Sequence, residues 1–438
     1  MKLKGHSPVD LIINNRKLIE KIYIVLIIFS LICVPMVGIN YDLTKYLPDS
    51  SPSAQALDIM EDEFTYPGMG RVMLEDVTLY EAKNIKDRIA DVDGVDMVMW
   101  CDMATNIYGS SEFINYDNID DYYKDNTAYM DVIFTDKDSS NQTHKAVREI
   151  ENIVGDRGLV AGSAVSDTNL GPTINKEVAR VMALAVVIIY IILTITTTSW
   201  FEPVLFLSVL GIAILINMGT NIIFGEISFL SNAVGAVLQL ACSMDYSIFL
   251  LNSFEENKKR FPDDKERAMG HAIANTFKSV AGSSVTTVAG FLALCVMTFA
   301  LGRDLGIVMA KGVLIGVVCC VTVLPAMVLV FDKAIEKTRH KPLVKSLDKP
   351  SAFITKHYKV WVVIFLVLLF PSIYGNNHTQ IYYNIARSLP STLDCNVAND
   401  EVKAQFDVSN MHIVMMDRDM DSKQKKKMME EIGNVKGV

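Results

Sequence analysis

The sequence predicts an α-helical polytopic membrane protein that carries an exported α+β domain of ferredoxin-like type. Three observations predict it. Apolar runs long enough to cross ~30 Å of hydrocarbon recur along the chain. A long polar stretch between the first two of them alternates helical and strand periodicities. A segment near the start recurs near the end, after a further apolar run, so the layout is repeated and the second copy is incomplete.

Composition narrows the function classes. Half of the 438 residues are hydrophobic and 21% are charged, with a net charge of −9. The charge is uneven: residues 40–177 hold 27 Asp and Glu against 11 Lys and Arg. An acidic block beside basic flanks gives no footprint for nucleic acid. The seven cysteines show no zinc spacing and no disulfide framework. Cys33, Cys242, Cys295, Cys319 and Cys320 fall in apolar runs, where cysteine acts as a small hydrophobe. Cys101 and Cys395 fall in polar stretches and pair only if the fold joins them.

Residues 1–39 form a short basic N-terminus and a first span, Ile22 to Ile39. No small-residue cleavage site follows, so the span is expected to stay as an uncleaved anchor. Lys2, Lys4, Arg16, Lys17 and Lys21 before it place the N-terminus in the cytoplasm by the positive-inside rule. Residues 40–177 are the exported domain. Helices are expected at Ser53–Glu63, Thr78–Ala90 and Asn141–Val154, and strands at Arg71–Leu74, Val95–Cys101, Met130–Phe134 and Gly158–Ala161. A Tyr- and Asp-rich insertion spans Asp102–Asn126. Two αβ halves in this alternation predict the ferredoxin-like sandwich.

Residues 178–332 hold five more spans, near 178–196, 201–224, 228–253, 276–300 and 305–331. Their connectors alternate in charge. Lys258, Lys259, Arg260, Lys265 and Arg267 follow the fourth span, and a basic linker at 333–359 follows the sixth. The opposite connectors hold only Arg303 as a base, which gives the same orientation as the first span. A seventh span lies at 360–376, and 377–438 begin a second exported domain. The repeat runs at an offset of 342. Tyr41–Pro48 aligns with Tyr383–Pro390, Phe64 with Phe406, Met69 with Met411, and Val72-Met73 with Val414-Met415. The chain is therefore expected to be partial, with the rest of the second repeat among its partners.

The fourth span organises the functional reading, because it carries Asp245. A carboxylate at mid-membrane costs roughly 2.5–3.5 kcal/mol or more unless it is paired or hydrated, and such residues mark ion and proton paths. At about 100° per residue, Ser231, Ala241, Cys242 and Asn252 share its side of the helix. That small, polar stripe predicts an aspartate facing other helices or a hydrated cavity. Tyr246 beside it has a phenol able to donate a hydrogen bond, and Thr286 and Thr287 in the fifth span bring hydroxyls that also serve to bond their own helix. Lys311 lies about two turns from the outer end of the sixth span and is expected to snorkel to that interface. Asn217 and Asn221 are expected as packing contacts in the third.

These motifs carry a family resemblance. Gly235 through Met244-Asp245-Tyr246-Ser247-Ile248-Phe249-Leu250, then Ser283-Ser284-Val285-Thr286-Thr287 through Gly290, then Leu305-Gly306 through Leu324-Pro325-Ala326 follow in order. Together with one span, an exported domain, five spans and a restart, they resemble the RND superfamily in its MMPL branch. The resemblance covers essentially the whole chain. It implies an RND-type architecture and a proton-motive-force-driven exporter of lipids or other hydrophobic compounds in the cell membrane. It also implies a proton relay at Asp245 and Tyr246, with Thr286 and Thr287 in support. The matching second pair of the family would fall beyond Val438.

Two other readings share this layout: a lipid-sensing module similar to sterol-sensing domains, and a protein-export accessory similar to SecDF. Homo-oligomerisation is left open. Gly-x4-Gly-Lys-Ser/Thr, His-Glu-x2-His and Gly-x-Ser-x-Gly are all missing from the sequence, so neither ATP-driven transport nor hydrolysis has a motif to rest on. No cofactor or metal site is expected.

Overall fold

The computed structural model describes residues 12–42, 44–64, 67–103, 119–340, 348–379 and 393–406, and then 414, 416 and 419–435. It divides into two compact units, one of residues 1–48 and 170–383 and one of residues 49–169 and 384–438.

In chain order, the elements begin with helix α1 (Arg16–Cys33), strand β1 (Gly38–Asn40), α2 (Pro52–Phe64), β2 (Met69–Leu74) and α3 (Leu79–Ala90). Then come β3 (Val95–Met99), β4 (Tyr123–Lys124), β5 (Thr127–Phe134), α4 (Asn141–Val154) and β6 (Gly158–Ala161). The long helices are α5 (Ser163–Thr196), α6 (Glu202–Thr220), α7 (Phe229–Arg260), α8 (Lys265–Ala293) and α9 (Ala300–Val330), with β7 (Glu226–Ser228) between α6 and α7. Short α10 (Asp332–Lys337) and α11 (Asp348–Lys356) precede α12 (Tyr358–His378), α13 (Asp394–Phe406) and α14 (Ser422–Gly433).

The second unit is a β-α-β-β-α-β sandwich. Its strands run in the order β3-β5-β2-β6, all antiparallel, with β4 paired to β5. This is the ferredoxin-like topology expected from the alternation. The helices and the central strands fall within three residues of the predicted positions. β4 was not anticipated, because two residues inside a polar insertion carry no periodic signal. Thr78 caps α3: it accepts the Glu81 N–H at 3.3 Å while Glu81 accepts the Thr78 N–H at 2.9 Å. Such a reciprocal cap contributes on the order of 1 kcal/mol. Leu74, Val98, Trp100, Met130 and Phe134 of the sheet region bury against Ile85 and Ile89 of α3 and Val147 and Ile150 of α4. Each fully buried side chain of this size contributes roughly 1.5–3 kcal/mol.

The helix α13, from the start of the second repeat, belongs to the same unit. Cys395, Ala398 and Val402 are buried, and Val402 joins Met73 and Tyr129 in one apolar cluster that Phe406 packs against. The Phe406 and Tyr129 rings stand 5.4 Å apart. Cys101 and Cys395 both enter the large core, and burial first, then the Asp102 carboxylate, pushes the Cys101 thiol up to about 11.

The first unit is a helical bundle. Seven described helices are long and apolar enough to cross a membrane: Arg16–Met36, Ser163–Thr196, Glu202–Phe224, Phe229–Arg260, Lys265–Val296, Ala300–Val330 and Tyr358–His378. α5 and α8 begin well before the apolar runs that marked them, because their polar first turns continue the helix beyond the hydrocarbon length. α6, α7 and α9 are the most buried, while every residue of α12 is exposed. Association in lipid relies on close packing rather than on the hydrophobic effect. Gly219 of α6 accordingly lies against the backbone of Ser30 in α1, where a Cβ would come within 2.6 Å of Ser30 Cα. The ends of the first and third spans are joined by a parallel pair, β1 with β7, which the sequence did not signal.

Helix boundaries repeat the sequence offset. Moved back by 342 residues, α12 covers 16–36 and α13 covers 52–64, the bounds of the first candidate span and of α2. With one inserted residue, α14 maps onto α3. The aligned residues 383–390, 411 and 415 lie outside the described residues.

Candidate functional site

α7 presents two polar faces, and only one of them was anticipated. Its helix starts where Ser228 accepts the Leu230 N–H at 3.1 Å and Asp304 accepts the Ser228 N–H at 2.9 Å and the Ser231 hydroxyl at 2.5 Å. Asp304, read from sequence as part of a connector, therefore anchors the N-terminal turn of α7, where an acidic group complements the helix dipole.

The Asp245 face is largely open. Of the predicted stripe, Ser231 is buried and Cys242 half-buried, whereas Ala241, Asp245 and Asn252 are exposed. Ala241, Asp245, Phe249 and Asn252 line one open flank of α7 at spacings of four, four and three. Asp245 is exposed and forms no hydrogen bond or ion pair among the described residues. The physical reason is the periodicity: small residues on a helix allow close approach, but they do not specify which partner approaches.

Tyr246, the next residue, turns inward. It is 3% exposed and sits in the apolar core of the bundle, with Thr287 and Ser283 of α8 near its phenol. Thr287 is half-buried and Thr286 exposed, and both hydroxyls donate to the Ser283 carbonyl, at 3.0 and 2.7 Å. The fold thus brings Tyr246 and Thr287 together and leaves Asp245 and Thr286 on the surface of the bundle.

The second polar face is a buried seam. Ser231, Gly235, Gln239, Ser243 and Ser247 recur every four residues along α7 and are all buried. α9 opposes them with Asp304, Gly312, Gly316 and Cys320: Gly316 lets the Ser243 side chain press against its backbone, and Ser247 donates to Cys320 Sγ at 3.9 Å. Asn217 of α6 donates to Gln239 Oε1 at 2.9 Å, the interhelix contact expected of it. The four-residue recurrence was visible in the sequence; its pairing to α9 was not.

Lys311 corrects the snorkelling expectation. Its ammonium donates to the Asn217 carbonyl at 3.0 Å, to Thr220 Oγ1 at 3.0 Å and to Asn221 Oδ1 at 2.5 Å. It also stands 5.1 Å from the Phe224 ring centroid. These are the last carbonyl and side-chain acceptors of α6, where a cation meets the negative end of the helix dipole. An inward arrangement satisfies both partners, so the long stem does not need to reach the interface.

The basic end of the bundle is held by ions. Asp332 of α10 pairs with Lys258 at 3.3 Å and with Lys265, and Arg339 pairs with Glu255 at 3.0 Å. Burial alone would raise the Asp332 carboxyl, but the two ammonium groups outweigh it and hold it below the ordinary carboxylate range. Among the described residues no cluster of His, Cys, Asp or Glu is fit to hold a metal.

The comparisons follow this geometry. The MMPL family profile matches residues 45–364. A membrane protein of Methanocaldococcus jannaschii is 34% identical over 115 residues, which cover 26% of this chain and 28% of its own length. The siderophore exporter MmpL5 of Mycobacterium tuberculosis is 25% identical over 315 residues, 67% of this chain and 32% of its own length. Among solved structures, SecDF, a translocon-associated membrane protein from Thermus thermophilus, aligns over 75% of this chain and 40% of its own, with 14% identity and a TM-score of 0.43. The aligned part of the chain spans less than half the length of each of these relatives. With seven helices apolar and long enough to span a membrane among the described residues, a ferredoxin-like unit and a profile match over most of its length, the chain belongs to the MMPL family.

Proposed function

We propose that this protein exports lipids or other hydrophobic compounds across the cell membrane, driven by the proton motive force, with Asp245 as the proton carrier and Tyr246 its neighbour in the relay. One observation carries the reading: a carboxylate on a membrane-spanning helix stands on an open flank, next to a tyrosine buried in the core of the bundle. An intramembrane acid left facing lipid would be costly, so its flank is a surface for a further helix or for water. The restart of the repeat at α12 and the greater length of the relatives support a second repeat as the partner that covers it. The name of the mycobacterial relative as a siderophore exporter supports export as the direction.

In this reading the two charge states of Asp245 differ in cost by several kcal/mol in a low-dielectric setting, enough to bias two bundle arrangements. The N-terminus and the basic connectors face the cytoplasm and the ferredoxin-like unit faces outward. Thr287 orients the Tyr246 phenol, while Thr286 takes the lesser part. The experiment is proton-gradient-driven export of a lipophilic dye by the intact gene product and its Asp245→Asn variant. Loss of export at unchanged expression supports the relay; normal export by the variant removes Asp245 from the mechanism.

A further inference from the structure

We propose that Glu202 is a second proton-binding carboxyl, placed at the basic end of the bundle, through which a proton passes between the membrane interior and the cytoplasm. The role in transport rests on the proton-driven reading above; the binding site itself rests on geometry.

Glu202 opens α6 and is 1% exposed. Among the described residues its Oε2 accepts only the Thr198 N–H, at 3.3 Å, and its Oε1 is buried with no hydrogen-bond partner. An ionised carboxylate in that state has lost its water and gained one long hydrogen bond, which is among the costlier arrangements for a side chain. Its N-terminal helix position offers some compensation, but the dipole acts on an exposed capping group as well and does not require burial.

Three charged or titratable groups face it. Glu255 comes from α7, and Arg339 and His340 follow α10. Arg339 is already held by Glu255 at 3.0 Å and is half-exposed, so its charge is shared and screened by solvent. The like charge of Glu255 and the opposite charge of Arg339 act on Glu202 in opposite senses. The surroundings are built rather than loose. The His340 N–H donates to the Thr198 carbonyl at 2.8 Å, and the Trp200 N–H to the Thr338 carbonyl at 3.2 Å. The Ser199 hydroxyl donates to the Ile335 carbonyl at 3.1 Å. The α5–α6 connector is thereby stitched to the segment after α10, and Glu202 lies beneath the stitch.

Position links the site to the proposed relay. Glu255 lies ten residues beyond Asp245 on the same helix, ~15 Å along its axis. A proton bound at Glu202 changes the charge met by the end of α7, and a movement of α7 changes the field at Glu202. Neutral Glu202 fits the buried geometry as it stands, whereas ionised Glu202 calls for water or for Arg339 to leave Glu255.

The test is infrared difference spectroscopy of the intact protein in lipid nanodiscs, titrated from about pH 5 to about pH 9 to cover the interval above ordinary carboxylate values. A protonated-carboxyl band that persists at neutral pH and vanishes on alkalinisation is expected. Glu202→Gln abolishes it and Asp245→Asn keeps it. Arg339→Gln moves its midpoint upward, and Glu255→Gln, which leaves Glu202 in place if Glu202→Gln does not fold, moves it downward. The proposal is overturned if the band survives Glu202→Gln, if no such band exists at neutral pH, or if Glu255→Gln leaves the midpoint unchanged. Normal dye export by Asp245→Asn alongside a titrating Glu202 band would sink the Asp245 relay and leave the Glu202 site standing.

Discussion

The Lys311 ammonium lies 2.5 Å from the Asn221 side-chain oxygen and caps the end of α6 from within the bundle. A lone cation inside a membrane span is thus committed to neutral acceptors of a neighbouring helix, and it ties α9 to α6. Replacing it by methionine leaves the Asn217 carbonyl, Thr220 and Asn221 without their shared donor. Lys311→Met is expected to destabilise the protein by about 1–3 kcal/mol, the cost of leaving buried acceptors unmet. Unfolding in mixed micelles measures this; an unchanged midpoint would mean that the lysine is not held inside.

Helix approach gives a second expectation. A Cβ at Gly219 would lie 2.6 Å from Ser30 Cα, a backbone atom that no rotamer change can move away. Gly219→Ala is expected to force α1 from α6 and to cost roughly 1–3 kcal/mol. Gly211, in the same helix, has nothing within 4 Å of such a Cβ. Gly211→Ala is therefore expected to be neutral or to stabilise by up to about 1 kcal/mol through helix propensity. Thermal stability of the two variants side by side separates packing from propensity.

The ferredoxin-like unit should show an acid-dependent term. Asp131 is 8% exposed, accepts the Tyr129 hydroxyl at 2.5 Å, and lies 3.7 Å from Arg71 Nε. Burial raises its carboxyl above the ordinary range, more than the hydrogen bond and the guanidinium lower it. A group whose folded value is raised adds stability that is complete below the unfolded value and is lost as pH rises through the folded one. Asp131→Asn is therefore expected to raise the unfolding midpoint at neutral pH, with the gain shrinking as pH falls toward about 4. A gain that stays constant with pH would assign the effect to packing instead.

The elements that were legible share a cause. The membrane spans, the sandwich helices and β2, β5 and β6 each carry a hydropathy period over many residues, and that period is written locally. Asp245 and Tyr246 stood out for the same reason, as polar groups inside an apolar run. Their surroundings were less legible. The stripe around Asp245, expected to face helices or a hydrated cavity, stands largely open, while the seam of Gln239, Ser243 and Ser247, which is packed, drew no notice. Small and hydroxylated residues suit either situation, so a helix face alone does not name its partner.

By itself, the sequence determined the number and order of the spans, the alternation that builds the sandwich, the internal repeat and an acid in the fourth span. Those properties follow from side-chain type and spacing along the chain. The tertiary structure alone decided that Lys311 caps α6, that Asp304 anchors α7, that Glu202 is buried with one oxygen unmet among the described residues, and that Asp245 is exposed while Tyr246 is buried. Each of these depends on which residues distant in sequence arrive at the same place, and hydrogen-bond and charge partners acquire their meaning only there.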